Sequence, residues 1–138
     1  MKLSHGLWAA SLVALAVGAS SPAARADDKP TSSAQRVFSD KLPNVPGKAL
    51  TAVEVTFPPG AQSPPHHHAG AVFVYVLEGA VRSRLDDGPE KVYRIGETFF
   101  EPPGTHHVGS ASASPTERAR ILAVFVADEG ATLTTYDK

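Results

Sequence analysis

A chain of 138 residues has room for one domain, and its 13 basic and 14 acidic residues give a formal charge of −1, which offers no footing for nucleic acid or an anionic bilayer. It contains no cysteine. Disulfide staples and thiolate metal sites are therefore excluded, and any metal must be held by nitrogen and oxygen donors.

At the start of the chain, Lys2 and His5 precede the apolar run from Leu7 to Ala19, followed by Ser20-Ser21-Pro22 and the small-residue pattern Ala24-Arg25-Ala26. A membrane-spanning helix needs about 20 apolar residues, so this shorter run predicts a secretory signal peptide over residues 1–26. The mature protein is then expected to be periplasmic or secreted and free of the membrane after cleavage. Loss of Lys2 and Arg25 leaves it 11 basic residues against 14 acidic ones. Residues 27–34 are polar and small and read as a flexible tether. Residues 35–138 form the single domain.

Along that domain, short β-branched and aromatic runs alternate with Pro, Gly and Asp-Gly punctuation, and no stretch shows a capped helical period. The fold class predicted is all-β. Strands are expected near residues 35–40, 50–57, 72–77, 80–85, 91–94, 98–101, 106–110 and 119–127. Turns fall at Pro58-Pro59-Gly60, Glu78-Gly79, Asp86-Asp87-Gly88-Pro89, Ile95-Gly96 and Pro102-Pro103-Gly104, where backbone preferences favour reversal. Many short strands at this spacing predict a sandwich or barrel. The run Val72 to Leu77 is apolar on both faces. One face is expected against the barrel interior and the other against a second sheet or a partner subunit, so a homodimer is the expected assembly.

Beyond the leader all five histidines fall in two clusters, His66-His67-His68 and His106-His107. In an extended segment His66 and His68 point one way and His67 the other. Two imidazoles on one face, met by a third from a distant strand, make three corners of a metal site. Neutral imidazole serves Zn, Fe, Ni, Cu or Mn, so the identity of the ion stays open. Taken alone, the first cluster reads equally as a solvated loop that binds metal loosely.

Both clusters sit in patterns that resemble the paired motifs of the cupin superfamily, over roughly residues 50–126. In the first, Gly60 is followed after five residues by His66, then by His68 and, past a strand, by Gly79. In the second, Gly96 is followed after five residues by Pro102, Gly104 and His107. The resemblance implies a double-stranded β-helix, or jelly-roll, barrel with one divalent metal ion on His66, His68 and His107, and it selects His107 over His106. One departure matters: the glutamate usual in the first motif is replaced by Val72, which has no donor atom. The site thus resembles the three-histidine variant, with coordination positions left open.

Glu101, just before Pro102, reads either as an exposed edge carboxylate or as a group that hydrogen-bonds a metal water or ligating imidazole, or as a fourth ligand. Three-histidine cupins that cleave β-diketones with O₂ carry a glutamate at this offset, so the resemblance implies the second role. Gln62 is a weaker candidate for the pocket rim. Phe73, Tyr75, Phe99 and Phe100 read first as core or subunit-interface residues. The charged hairpin from Arg82 to Lys91 reads as a solvated face, and Ser110 to Arg120 as a connector, with a lid as the alternative. No carboxylate is evident as a partner for a ligand histidine, which disfavours the sugar-nucleotide epimerases of this fold.

The resemblance implies a mononuclear metal-dependent enzyme, dioxygenase-like, acting on a small organic molecule in the barrel. The competing reading is a non-catalytic cupin that binds a metal or small ligand in the periplasm. An enzyme requires an accessible, partly apolar cavity at the metal with a convergent polar group, and a structural site requires a closed metal.

Overall fold

The computed structural model describes residues 30–138; the expected signal peptide lies outside the described residues. These residues form ten strands: β1 (Ser33–Lys41), β2 (Lys48–Phe57), β3 (His66–His68), β4 (Ala71–Glu78), β5 (Ala80–Leu85), β6 (Lys91–Arg94), β7 (Thr98–Glu101), β8 (His106–Ser112), β9 (Ala119–Asp128) and β10 (Thr134–Tyr136). The all-β expectation holds. No helix among the described residues is long and apolar enough to cross a membrane.

The strands form two antiparallel five-stranded sheets, ordered β1-β2-β9-β4-β7 and β10-β3-β8-β5-β6. Alternation explains the core. In β4, Val72, Val74 and Val76 are fully buried while Phe73 and Tyr75 face out, and each buried valine contributes on the order of 1.5–3 kcal/mol. In β9, Ala119, Ile121, Ala123 and Phe125 point the same way as these valines, and they pack with Phe57, Phe99 and Val81 of the opposite sheet's β5. The tight β4–β5 reversal depends on Gly79, whose φ is +66° and where a Cβ would stand 2.6 Å from the Arg118 carbonyl oxygen.

Two strands were not foreseen from the sequence, β3 and β10, each three residues long. A run that short carries no alternation to read, and each is held by its neighbours. Strand β3 pairs on one side with β8 and on the other with β10. Strand β1 begins at Ser33, so the last two residues of the expected tether are already paired with β2. The expected connector from Ser110 to Arg120 is also shorter. Ser110 to Ser112 belong to β8 and are buried, and Ala119 and Arg120 belong to β9. Between them the chain is closed by the Ser112 hydroxyl donating to the Glu117 carbonyl at 2.7 Å.

Among the described residues nothing covers the outer face of the first sheet. Phe73 and Phe100 stand directly opposite each other on β4 and β7, 44% and 55% exposed, with Tyr75 and Val126 also exposed. Phe99, by contrast, is core.

Candidate metal centre

Register brings the two histidine clusters together. His66 is paired with His107 and His67 with His106 across β3 and β8, so one pair faces into the barrel and the other faces out. His68, two residues along β3, returns to the inner face. The ring centroids of His66 lie 4.7 Å from those of both His68 and His107. Ligand atoms of the three residues all fall within 4.8 Å of one another.

The back of each ring is tied down. His66 Nδ1 lies 2.7 Å from the Pro64 carbonyl, and His68 Nδ1 lies 3.1 Å from the Leu133 carbonyl and 3.2 Å from the Thr134 hydroxyl. Carbonyls only accept, so both rings carry their proton on Nδ1 and donate it backwards. Each Nε2 then presents a lone pair to the pocket, and the two Nε2 atoms are 3.2 Å apart. A shared hydrogen bond there would need one ring to be cationic. Burial opposes that: it pushes the His66 pKa down to about 4, against the Pro64 carbonyl and Glu101, which raise it, and with His107 and His68, which lower it further. Burial likewise lowers that of His68. Two neutral donors aimed at one point are an arrangement that a cation relieves.

His107 is oriented the other way round. Its Nε2 is 2.9 Å from the Ser83 hydroxyl and 2.8 Å from the Ser110 hydroxyl, which leaves Nδ1 facing the site. Glu101 is 2% exposed, so its reading as an exposed edge carboxylate is ruled out. Its Oε2 lies 3.2 Å from His107 Nδ1 and 3.7 Å from His68 Nε2. A carboxylate does stand against a candidate ligand histidine, contrary to the expectation from sequence. Glu101 Oε2 and His107 Nδ1 are both buried without a hydrogen-bond partner, and such orphaned groups are costly unless a bound cation or a shared proton satisfies them. The pairing of β4 with β7 explains the position: Glu101 is the register partner of Val72. The neighbouring strand delivers a carboxylate next to the position where the motif's own glutamate is missing.

The site opens on a cavity of about 480 Å³, within the range of small-molecule sites. Its walls are the inward residues Val53, Val55, Ile121, Ala123 and Phe125, and Tyr136 and Arg36 also line it. Arg36 is the only guanidinium or ammonium group among the described lining residues. Gln62 is not in the lining; its side chain is exposed and lies beside Gly109. Phe73, Tyr75, Phe99 and Phe100 do not line the cavity either.

Sequence reasoning missed Ser83, Ser110, Thr134 and Tyr136. Ser83 had a signal, since a small polar residue between Arg82 and Arg84 must face inward if the arginines face water. Thr134 and Tyr136 had none, because they lie on the unforeseen β10.

Comparison with known proteins agrees with this geometry. The profile of the family described as Cupin domain matches residues 53–125, more than half of the chain. The chain belongs to the cupin family. This cupin is similar in structure to a cupin-like protein from Thermotoga maritima, at 18% identity and a TM-score of 0.61 over 77% of this chain and 75% of that one. It is also similar to the polyketide cyclase RemF from Streptomyces resistomycificus, at 25% identity and a TM-score of 0.57 over 78% and 72% of the two chains. A third similar structure is the DMSP lyase DddQ from Ruegeria pomeroyi, at 21% identity and a TM-score of 0.56. There the match covers 63% of this cupin but only 42% of the lyase, so this chain spans less than half of the lyase's length. No curated protein matches the sequence significantly.

Proposed function

We propose that this cupin is a mononuclear metal-dependent enzyme acting on a small organic anion, with His66, His68 and His107 as ligands and Glu101 as the proton-transfer group. The observation that carries the reading is the pair of neutral imidazole lone pairs 3.2 Å apart, in reach of His107 and opening on a cavity rather than on packed core. A divalent ion there would supply Lewis acidity to a carbonyl or enol oxygen, and a redox-active one would open oxygen chemistry of the dioxygenase kind.

The chain's own residues define the rest. The apolar walls exclude water from the reacting end of a substrate, and Glu101, buried beside His68 and His107, holds or takes a proton there. Arg36 gives the cavity one fixed positive charge suited to a carboxylate or enolate. Lyase and cyclase activities among the similar structures support a reaction that makes or breaks bonds in a small molecule. An open cavity with a convergent carboxylate favours an enzyme over a closed, structural metal site.

The test is turnover of small enolisable acids by the metal-loaded protein, with O₂ uptake followed in parallel. Arg36→Gln is expected to raise KM for an anionic substrate about tenfold or more, the loss of a charge-assisted contact, with kcat little changed. Equal KM values for the two proteins would remove the anionic-substrate assignment.

The exposed Phe73, Tyr75, Phe100 and Val126 face supports a homodimer built on the outside of the first sheet. Light scattering is expected to give a dimer mass for the wild type and a monomer mass for Phe73→Glu/Phe100→Glu. A monomeric wild type would contradict it.

A further inference from the structure

The register that sends His66 and His107 inward sends His67 and His106 outward, where their rings stack with centroids 4.6 Å apart and an interplanar angle of 18°. Asp137, near the end of the chain, stands beside both. Its Oδ1 is 3.2 Å from His67 Nδ1, and its Oδ2 is 2.7 Å from His106 Nε2. The Asp137 backbone N–H donates to the Pro65 carbonyl at 3.0 Å, which fixes where the carboxylate is held. Ligand atoms of the three residues lie within 4.8 Å of one another. Two donors bound to one ion at about 2.0–2.2 Å each stand roughly 3 Å apart, and the two His–Asp contacts, at 3.2 and 2.7 Å, have that spacing.

From this we infer that His67, His106 and Asp137 form a second metal site, on the outer surface of the barrel and separated from the inner one by the thickness of a single sheet. Two imidazoles and one carboxylate suit a borderline ion such as zinc, nickel or copper. The side chains are 47%, 35% and 38% exposed, so water completes the coordination, and none of the three lines the inner cavity. The role that follows is mechanical. Strand β10 is a three-residue edge strand, and an ion on Asp137 would clip it to β3 and β8. The same stretch of chain carries the Leu133 carbonyl and Thr134 hydroxyl that orient His68. An outer ion would therefore hold in place the support of an inner histidine. The inference does not rest on the enzymatic reading of the inner site.

Zinc titration of the untagged purified protein, followed by equilibrium dialysis and elemental analysis, tests it. The wild type is expected to bind two zinc ions per chain, and His67→Ala and Asp137→Ala one each. The His66→Ala/His107→Ala protein should keep the outer ion, and zinc should raise its Tm by several degrees, an effect lost when His67→Ala is added. His67 is exposed, so its replacement leaves folding intact even if the inner double variant fails to fold. Equal zinc binding by wild type and His67→Ala, or an outer site filled only at millimolar zinc, would overturn the inference and leave a hydrogen-bonded His–Asp–His group.

Discussion

Glu101→Gln is expected to lower turnover by about 10²–10⁴-fold, the usual contribution of a positioned acid or base, while the bound metal is retained. The substitution keeps the shape of a side chain that is 2% exposed and removes its capacity to take up a proton. Its neighbours make the role specific: Oε2 faces His107 Nδ1 at 3.2 Å and His68 Nε2 at 3.7 Å, on the pocket side of both rings. Elemental analysis beside kinetics separates two roles for the carboxylate. Lost turnover with full metal content marks proton transfer, and lost metal marks Glu101 as a fourth ligand replacing the carboxylate absent at Val72. Unchanged turnover would remove it from the reaction.

The second large effect is on stability. In the metal-free protein, burial holds the His66 pKa at about 4 in the folded chain against an ordinary value of 6.5, and His68 is shifted in the same direction. Between those limits the unfolded chain binds the proton and the folded chain refuses it. Stability is therefore full above about pH 6.5 and is lost as pH falls towards 4. For His66 alone the loss between pH 7 and pH 5 is about 2 kcal/mol, and His68 adds to it. Urea denaturation of the metal-free protein at the two pH values measures this. His66→Gln should flatten the dependence, and an equally steep slope in that variant would place its cause elsewhere.

Much of the fold was legible because β4 and β9 are long enough to show alternation, and because Gly79 and Gly96 mark turns that need a positive φ. The three inward histidines were legible from parity within His66-His67-His68 and from the motif spacing that selected His107. What escaped the sequence depends on register between strands far apart in the chain. That Glu101 lies opposite Val72, and that His67 and His106 meet Asp137 on the outside, follow from pairings of β7 with β4 and of β3 with β8 and β10. No local pattern encodes those pairings. The same holds for Ser110, read as the junction of an expected strand and a connector, whose burial against His107 no local pattern encodes.

The most direct test of the central claim is the metal content of the untagged purified protein beside that of His66→Ala/His107→Ala, with the outer site removed by His67→Ala in both. One divalent ion per chain, lost in the inner double variant, is the result predicted. Failure of the inner site to bind any ion under loading with iron, manganese, zinc, nickel or copper would contradict it.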